Sequence, residues 1–161
     1  MDDFLELATG LPIERVEAAA TLLREGERTG TIYVLLEGAL RVEKAGVVVA
    51  SVTEAGACVG EMSALLDLPH TADVLATQPS VVARLDDASE RLAGDAELAL
   101  GLARLLASRL QLVTTYLADL KQQYADEDSH LGMVDTVLSQ LVRHSGRRSE
   151  LGSERDPDPE Y

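Results

Sequence analysis

The sequence predicts an α+β protein that is mainly β, an antiparallel barrel or jelly roll followed by a long helix. Two patterns carry that expectation. Between Pro12 and Asp86, short runs of Val, Ile, Leu and Thr alternate with glycines at 26, 30, 38, 46, 56 and 60, a spacing that suits several short antiparallel strands. After Asp86 the apolar period lengthens from two residues to that of a helix. With 161 residues and 46% hydrophobic composition, the chain can build one ordinary domain and a helical extension. Its core must be largely aliphatic, because Phe4 and four tyrosines are the only large aromatics.

In chain order, a short helix over Asp2 to Ala8 stops at Gly10-Leu11-Pro12. The strand candidates are Ile13–Glu17, Thr21–Arg24, Ile32–Glu37, Ala39–Lys44, Val47–Val52, a short one near Cys58, Thr71–Ala76 and Ser80–Leu85. Ala45-Gly46 joins two of them as a tight hairpin, since glycine takes positive φ without steric cost. Asp87-Ala-Ser-Glu90 has the form of a capping box. Asp95 can cap a much longer helix reaching about Tyr124. Leu131, Val134, Leu138 and Leu141 mark a further helix, and the charged tail from Ser145, with Pro157 and Pro159, has the composition of a disordered segment. The expected divisions are therefore 1–94, 95–125, 126–144 and 145–161.

Along the long helix, Ala99, Ala103, Leu106, Leu110, Val113, Leu117, Leu120 and Tyr124 alternate gaps of four and three, which is a heptad seam. A second stripe, Leu98, Leu102, Leu105, Arg109, Leu112 and Tyr116, runs beside it. Together they are wide for one barrel edge. Self-association through Leu106, Leu110, Val113, Leu117, Leu120 and Tyr124 is expected, giving a homodimer.

A formal charge of −14 disfavours nucleic acid as a partner, because phosphate binding draws on Lys and Arg. Cys58, the single cysteine, cannot close an internal disulfide, and the acidic start has no basic region for secretion. The longest apolar stretch is broken by Arg104 and Arg109, so no membrane span is expected and a cytoplasmic location is the default. His70, His130, His144 and Cys58 lack metal-ligand spacing, and no nucleophile–base signature suggests catalysis. The small basic cluster Arg143-His-Ser-Gly-Arg147-Arg148 is followed closely by acids and reads as solvated.

The candidate site lies in Gly60-Glu61-Met62-Ser63 and the residues up to Ala72. A strand ending on glycine and running into a short helical turn points free backbone N–H groups at one spot, which suits an anion. Ser63 and Thr71 can add hydroxyls. Glu61 would repel a phosphate, but it can accept from a neighbouring sugar hydroxyl; that reading and a plain turn-lining role both stay open.

Gly38, the run Ala55-Gly56-Ala-Cys58-Val59-Gly60-Glu61-Met62-Ser-Ala-Leu65-Leu66, and Pro69-His70-Thr71-Ala72 with Val74 resemble the phosphate-binding cassette of the cyclic nucleotide-binding domain family. Thr21-Leu-Leu-Arg-Glu-Gly26 and Ile32-Tyr-Val-Leu-Leu-Glu-Gly38 are similar to its paired strands, and the likeness extends over about residues 12–125. It implies a jelly-roll β-barrel, a helix through the cassette and a long C-terminal helix that closes over the ligand. By resemblance Gly60 and Glu61 meet the ribose. The backbone at Met62 and Ser63 lies near the phosphate, Thr71 places its amide and hydroxyl on the phosphate or, where the family favours guanine, on the base, Ala72 follows in the cassette, and Thr114 or Thr115 can reach the purine.

His70 stands where the family has arginine. A guanidinium is always charged and offers a bidentate fork, whereas an imidazole is mostly neutral at pH 7. A nearby phosphate would favour the charged imidazole. The 37 residues after Tyr124 fall short of the roughly 60–80 that a winged helix-turn-helix needs. Two functional expectations follow. One is a stand-alone dimeric sensor acting through an unidentified protein partner, with weak or altered binding of cAMP or cGMP. The other is a degenerate, ligand-independent scaffold. No other cofactor is expected.

Overall fold

The structure, a computed structural model, describes residues 2–123 and 131–142. Its described residues form two compact units, one reaching Ser108 and the other beginning at Arg109.

The first unit opens with α1 (Asp2–Ala8) and continues through β1 (Ile13–Val16), β2 (Thr21–Leu23), β3 (Ile32–Glu37), β4 (Leu40–Lys44), β5 (Val47–Val52) and β6 (Cys58–Val59). Then come α2 (Glu61–Leu66), β7 (Asp73–Ala76), β8 (Ser80–Leu85), α3 (Ala88–Gly94) and the start of α4 (Ala96–Gln123). The strands form two antiparallel four-stranded sheets, ordered β1-β8-β3-β6 and β2-β7-β4-β5. This is the expected jelly-roll arrangement, but it is not the closed barrel that the sequence reading anticipated. The pairing ends within each sheet, so among the described residues the two sheets are joined by packing and not by a ladder.

β3 explains that packing. Ile32 and Val34 join Phe4 and Ala8 of α1, Leu92 of α3 and Leu98, Leu102 and Leu105 of α4 in one apolar core. Tyr33 and Leu35 turn the other way, onto Leu23, Leu40, Val74 and Val82 between the sheets. Successive side chains of a strand point to opposite faces, so a strand buried on both faces reads as an unbroken apolar run. Ile-Tyr-Val-Leu-Leu is that run. β5 is the contrast, an edge strand paired only with β4 and exposed at Val47, Val48 and Val49.

Several strands are shorter than the sequence suggests because their end residues close turns. The Glu17 carbonyl accepts from Ala20 N–H and the Arg24 carbonyl from Glu27 N–H. Ala39 N–H donates to Ser80 Oγ at 3.1 Å. Ala19 takes a left-handed φ of 66°, a conformation that costs an ordinary residue about 1 kcal/mol. Ala45 and Gly46 both have positive φ, as the hairpin requires.

The capping box at Asp87 does not form. Asp87 is left-handed and makes no side-chain capping bond; the Ala88 N–H instead donates to the Gly30 carbonyl at 2.9 Å. Asp95 does cap α4, its Oδ1 accepting from Leu98 N–H at 3.0 Å.

The second unit holds the rest of α4 and α5 (Leu131–Val142). Lys121 on α4 forms an ion pair with Asp135 on α5. Tyr124, His130, His144 and the tail from Ser145 lie outside the described residues. No helix among the described residues is long and apolar enough to cross a membrane.

Candidate functional site

The cassette is a strand–helix–loop run that begins where β6 leaves β3. Gly60 makes the turn with φ 89° and ψ −5°. A Cβ at this position would stand 2.6 Å from the Thr31 carbonyl oxygen and 3.0 Å from Leu23 Cδ1. Only glycine combines that backbone angle with that clearance. α2 follows at once, with Glu61 and Ser63 buried and Met62 exposed.

The Ser63 hydroxyl donates to the Leu68 carbonyl, and the Leu68 N–H returns a bond to the Ser63 carbonyl at 3.1 Å. Ser63 therefore closes the end of its own helix. Asp67 terminates α2 in a left-handed conformation. Arg28, from the β2–β3 connection, donates through Nη1 to the Asp67 carbonyl at 2.7 Å and to Oδ1 at 3.1 Å. Both Arg28 and Asp67 are largely solvent-exposed.

His70 is buried at 4% exposure. Its N–H donates to the Glu27 carbonyl and its carbonyl accepts from Gly26 N–H, both at 2.8 Å. These two bonds tie the cassette to the loop after β2, which is why β7 starts at Asp73 and not at Thr71. The ring Nε2 lies 2.8 Å from Thr29 Oγ1, and Thr29 Oγ1 also accepts from Thr31 N–H at 3.2 Å. A neutral ring with Nε2 as acceptor satisfies this set. Burial pushes the imidazole below its usual titration range, partly opposed by the nearby Glu27 carboxylate.

Gly60, Glu61, Met62, Ser63, His70, Thr71 and Ala72 all belong to this one run in the first unit. Thr71 is exposed and Ala72 half-buried. Thr114 and Thr115 belong to the second unit. The Thr114 hydroxyl donates to the Leu110 carbonyl at 2.8 Å, a bond within α4.

Sequence reasoning missed Thr29 and Arg28, which hold His70 and Asp67 from 41 and 39 residues away. No local pattern marks such partners. It also missed a polar cluster on the first sheet, where Arg84 donates to Glu14 at 2.9 Å and to Asp86 at 2.8 Å. Thr31 donates to the same Asp86 oxygen at 2.9 Å. The hydrogen bond from Arg84 holds the Asp86 carboxyl below its ordinary range. Next to this cluster is an open cavity of about 750 Å³, lined by Leu11, Pro12, Arg91 and Asp95 among others. Its Arg84 is already neutralised by two carboxylates. No group of three or more His, Cys, Asp or Glu among the described residues could hold a metal ion.

The sequence matches the cyclic nucleotide-binding domain over the eight strands, α2 and the first turn of α3. Residues 13–91 belong to that family. The cyclic nucleotide-binding domain of this chain is similar in structure to the N-terminal domain of a transcriptional regulator from Streptomyces coelicolor A3(2). That match has 25% identity and a TM-score of 0.52, covering 70% of this chain and 84% of the other. It also resembles the regulatory subunit of a cAMP-independent protein kinase A from Trypanosoma brucei, at 25% identity and TM-score 0.52, over 61% of this chain and 35% of that one. The Thermus thermophilus catabolite activator protein shares the fold at 22% identity, with a TM-score of 0.55 over 75% and 60% of the two chains. No curated protein matches the sequence.

Proposed function

We propose that this chain is a dimeric, non-enzymatic regulatory module of the cyclic nucleotide-binding type that works in the cytoplasm through a protein partner. Its cassette takes cAMP or cGMP weakly or with altered preference. The observation that carries this reading is the setting of His70, a ring buried with its Nε2 2.8 Å from the Thr29 hydroxyl, at the position where the family has arginine. Gly60 and Glu61 are assigned to the ribose. The backbone of Met62 and Ser63, with Ala72, is assigned to the phosphate, and Thr71 to the phosphate or, with guanine, to the base. The α4 seam of Leu106, Leu110, Val113, Leu117 and Leu120, continued by Tyr124, is assigned to the dimer.

A charge-assisted hydrogen bond contributes roughly 1.5–3 kcal/mol, so losing the guanidinium weakens phosphate binding about ten- to hundredfold. A ligand phosphate draws a proton onto His70, so binding is expected to tighten as the pH falls.

A second reading is a ligand-independent scaffold. It is favoured by the internal bonding of the cassette, in which Ser63 is committed to Leu68 and His70 to Thr29. The similar trypanosome regulatory subunit belongs to a protein kinase A that is described as cAMP-independent.

Titration calorimetry with cAMP and cGMP at pH 6 and pH 8, on the wild type and on His70→Arg, separates the two. The sensor reading expects tighter wild-type binding at pH 6, and a stronger, less pH-dependent site in the variant. Heat from the variant alone supports the scaffold. Heat from neither sinks the nucleotide assignment.

A further inference from the structure

The open cavity of about 750 Å³ in the first unit lies outside the cassette, where the end of β8, the Leu11-Pro12 link and α3 meet. That volume suits a small organic molecule. Leu11, Pro12 and Leu85 give it an apolar side. Gly94, at the end of α3, lines it too, and a Cβ there would meet nothing within 4 Å.

The rest of the lining is charged and unbalanced. It sets four carboxylates, Asp86, Asp87, Glu90 and Asp95, against the guanidiniums of Arg84 and Arg91, an excess of two negative charges. Arg84 is held by Asp86 and by Glu14, and Asp95 is engaged in capping α4. Asp87 and Glu90, by contrast, are exposed and make no side-chain hydrogen bond or ion pair among the described residues. Arg91, one helical turn after Asp87, can offset only one of the two. Such a lining repels phosphates and carboxylates and attracts a cation, and its apolar side gives the cation's stem a surface to cover.

The cavity is also joined to the frame of the cassette. The Thr31 hydroxyl donates to Asp86 Oδ1 at 2.9 Å. The carbonyl of the same residue closes off Gly60, and its N–H donates to Thr29 Oγ1, the hydroxyl that meets His70 Nε2. A ligand that draws on Asp86 therefore reaches both ends of the cassette through one residue.

We propose that this cavity is a second ligand site and that it takes an aliphatic diamine. The two ammonium groups answer the two surplus charges, while the methylenes lie on Leu11, Pro12 and Leu85. Occupancy is felt at the cassette through Asp86 and Thr31. A divalent metal ion brings the same charge without the apolar stem, and magnesium gives up its water shell reluctantly, so it fits this lining less well. The assignment does not depend on whether the cassette takes a nucleotide.

Amide NMR of the full chain, titrated with cadaverine at low ionic strength, tests it. Shifts are expected to gather at residues 84–95 and at Leu11, with a Kd below about 1 mM, and to extend to Thr31 and Gly60. Gly94→Leu, which fills the cavity, and separately Asp87→Asn with Glu90→Gln, should each raise that Kd at least about tenfold. Glu37→Gln with Glu54→Gln removes as much charge at exposed positions elsewhere in the unit, and should change it less than about twofold. All of these positions are exposed, and circular dichroism checks that each variant remains folded.

No shift at these residues overturns the site. If the two charge variants weaken binding alike, cadaverine is only screening an acidic chain, and the site is again overturned. Magnesium binding as tightly at the same residues overturns the diamine assignment. Thr31 and Gly60 unmoved at saturation overturn the link to the cassette.

Discussion

The two ends of the cassette are held by different physics. At its start, Gly60 is fixed by backbone geometry, since its φ of 89° and the 2.6 Å clearance to the Thr31 carbonyl admit no side chain. At its end, two backbone bonds to Gly26 and Glu27 hold the chain at position 70, and the side chain there is set by a hydroxyl 2.8 Å away and a buried setting. The first constraint is steric and nearly independent of charge. The second can be met by a neutral ring as well as by a cation, so the loop keeps its path while the chemistry at its end changes.

The largest effect is expected at the start. Gly60→Ala must both strain φ and displace the Thr31 carbonyl, and should cost about 3 kcal/mol or more in urea denaturation. A loss under about 1 kcal/mol would mean that the backbone yields and the contrast fails. Ser63→Ala, midway along the run, removes the buried hydroxyl bond to Leu68 and should cost about 1 kcal/mol by the same measurement.

At the end, the expected signature is in pH. Burial lowers the titration of folded His70, while the unfolded chain takes up its proton near the ordinary value of about 6.5. The contribution is therefore complete above that value. It is lost as the pH falls below it, because the unfolded state then binds more protons, until the folded ring also titrates. Urea midpoints at pH 7.5 and 5.5 should show a steeper acid loss for the wild type than for His70→Gln, whose amide oxygen keeps an acceptor for the Thr29 hydroxyl. Equal losses would show that the ring is not held neutral. The smallest effect belongs to Arg28→Ala. Both partners of the Arg28–Asp67 ion pair are exposed, so the change should stay under about 0.5 kcal/mol.

The same division separates what could be read in the sequence from what could not. β3, β5, β8 and α1 have the expected limits, because apolar alternation, the Ala45-Gly46 turn and the Gly10-Leu11-Pro12 stop are local signals. The position of the cassette was legible for the same reason, since Gly60 and the apolar turn after it lie side by side in sequence. Long-range partners were not. Thr29 on His70, Arg28 on Asp67 and Gly30 on Ala88 each join residues dozens of positions apart. The capping box that Asp87-Ala-Ser-Glu90 spelled out does not form, Asp87 being left-handed. Whether the strands close into a barrel depends on which edges pair, and neither the β5 nor the β6 sequence encodes that alone.

The double burial of β3 also has a consequence in time. β6 pairs with β3 at Tyr33–Val59 and Val34–Cys58, and Leu35 exchanges backbone bonds with Ala57 and Gly56 just before it, so the cassette's first residue is anchored to a strand that the surrounding cores release only when the domain opens as a whole. His70 is anchored to Gly26 and Glu27, both at the surface. Amide deuteration should accordingly be slowest at Val34 and much faster at His70. One short loop thus spans two clocks, its entrance renewed at the pace of global unfolding and its exit at the pace of a surface turn.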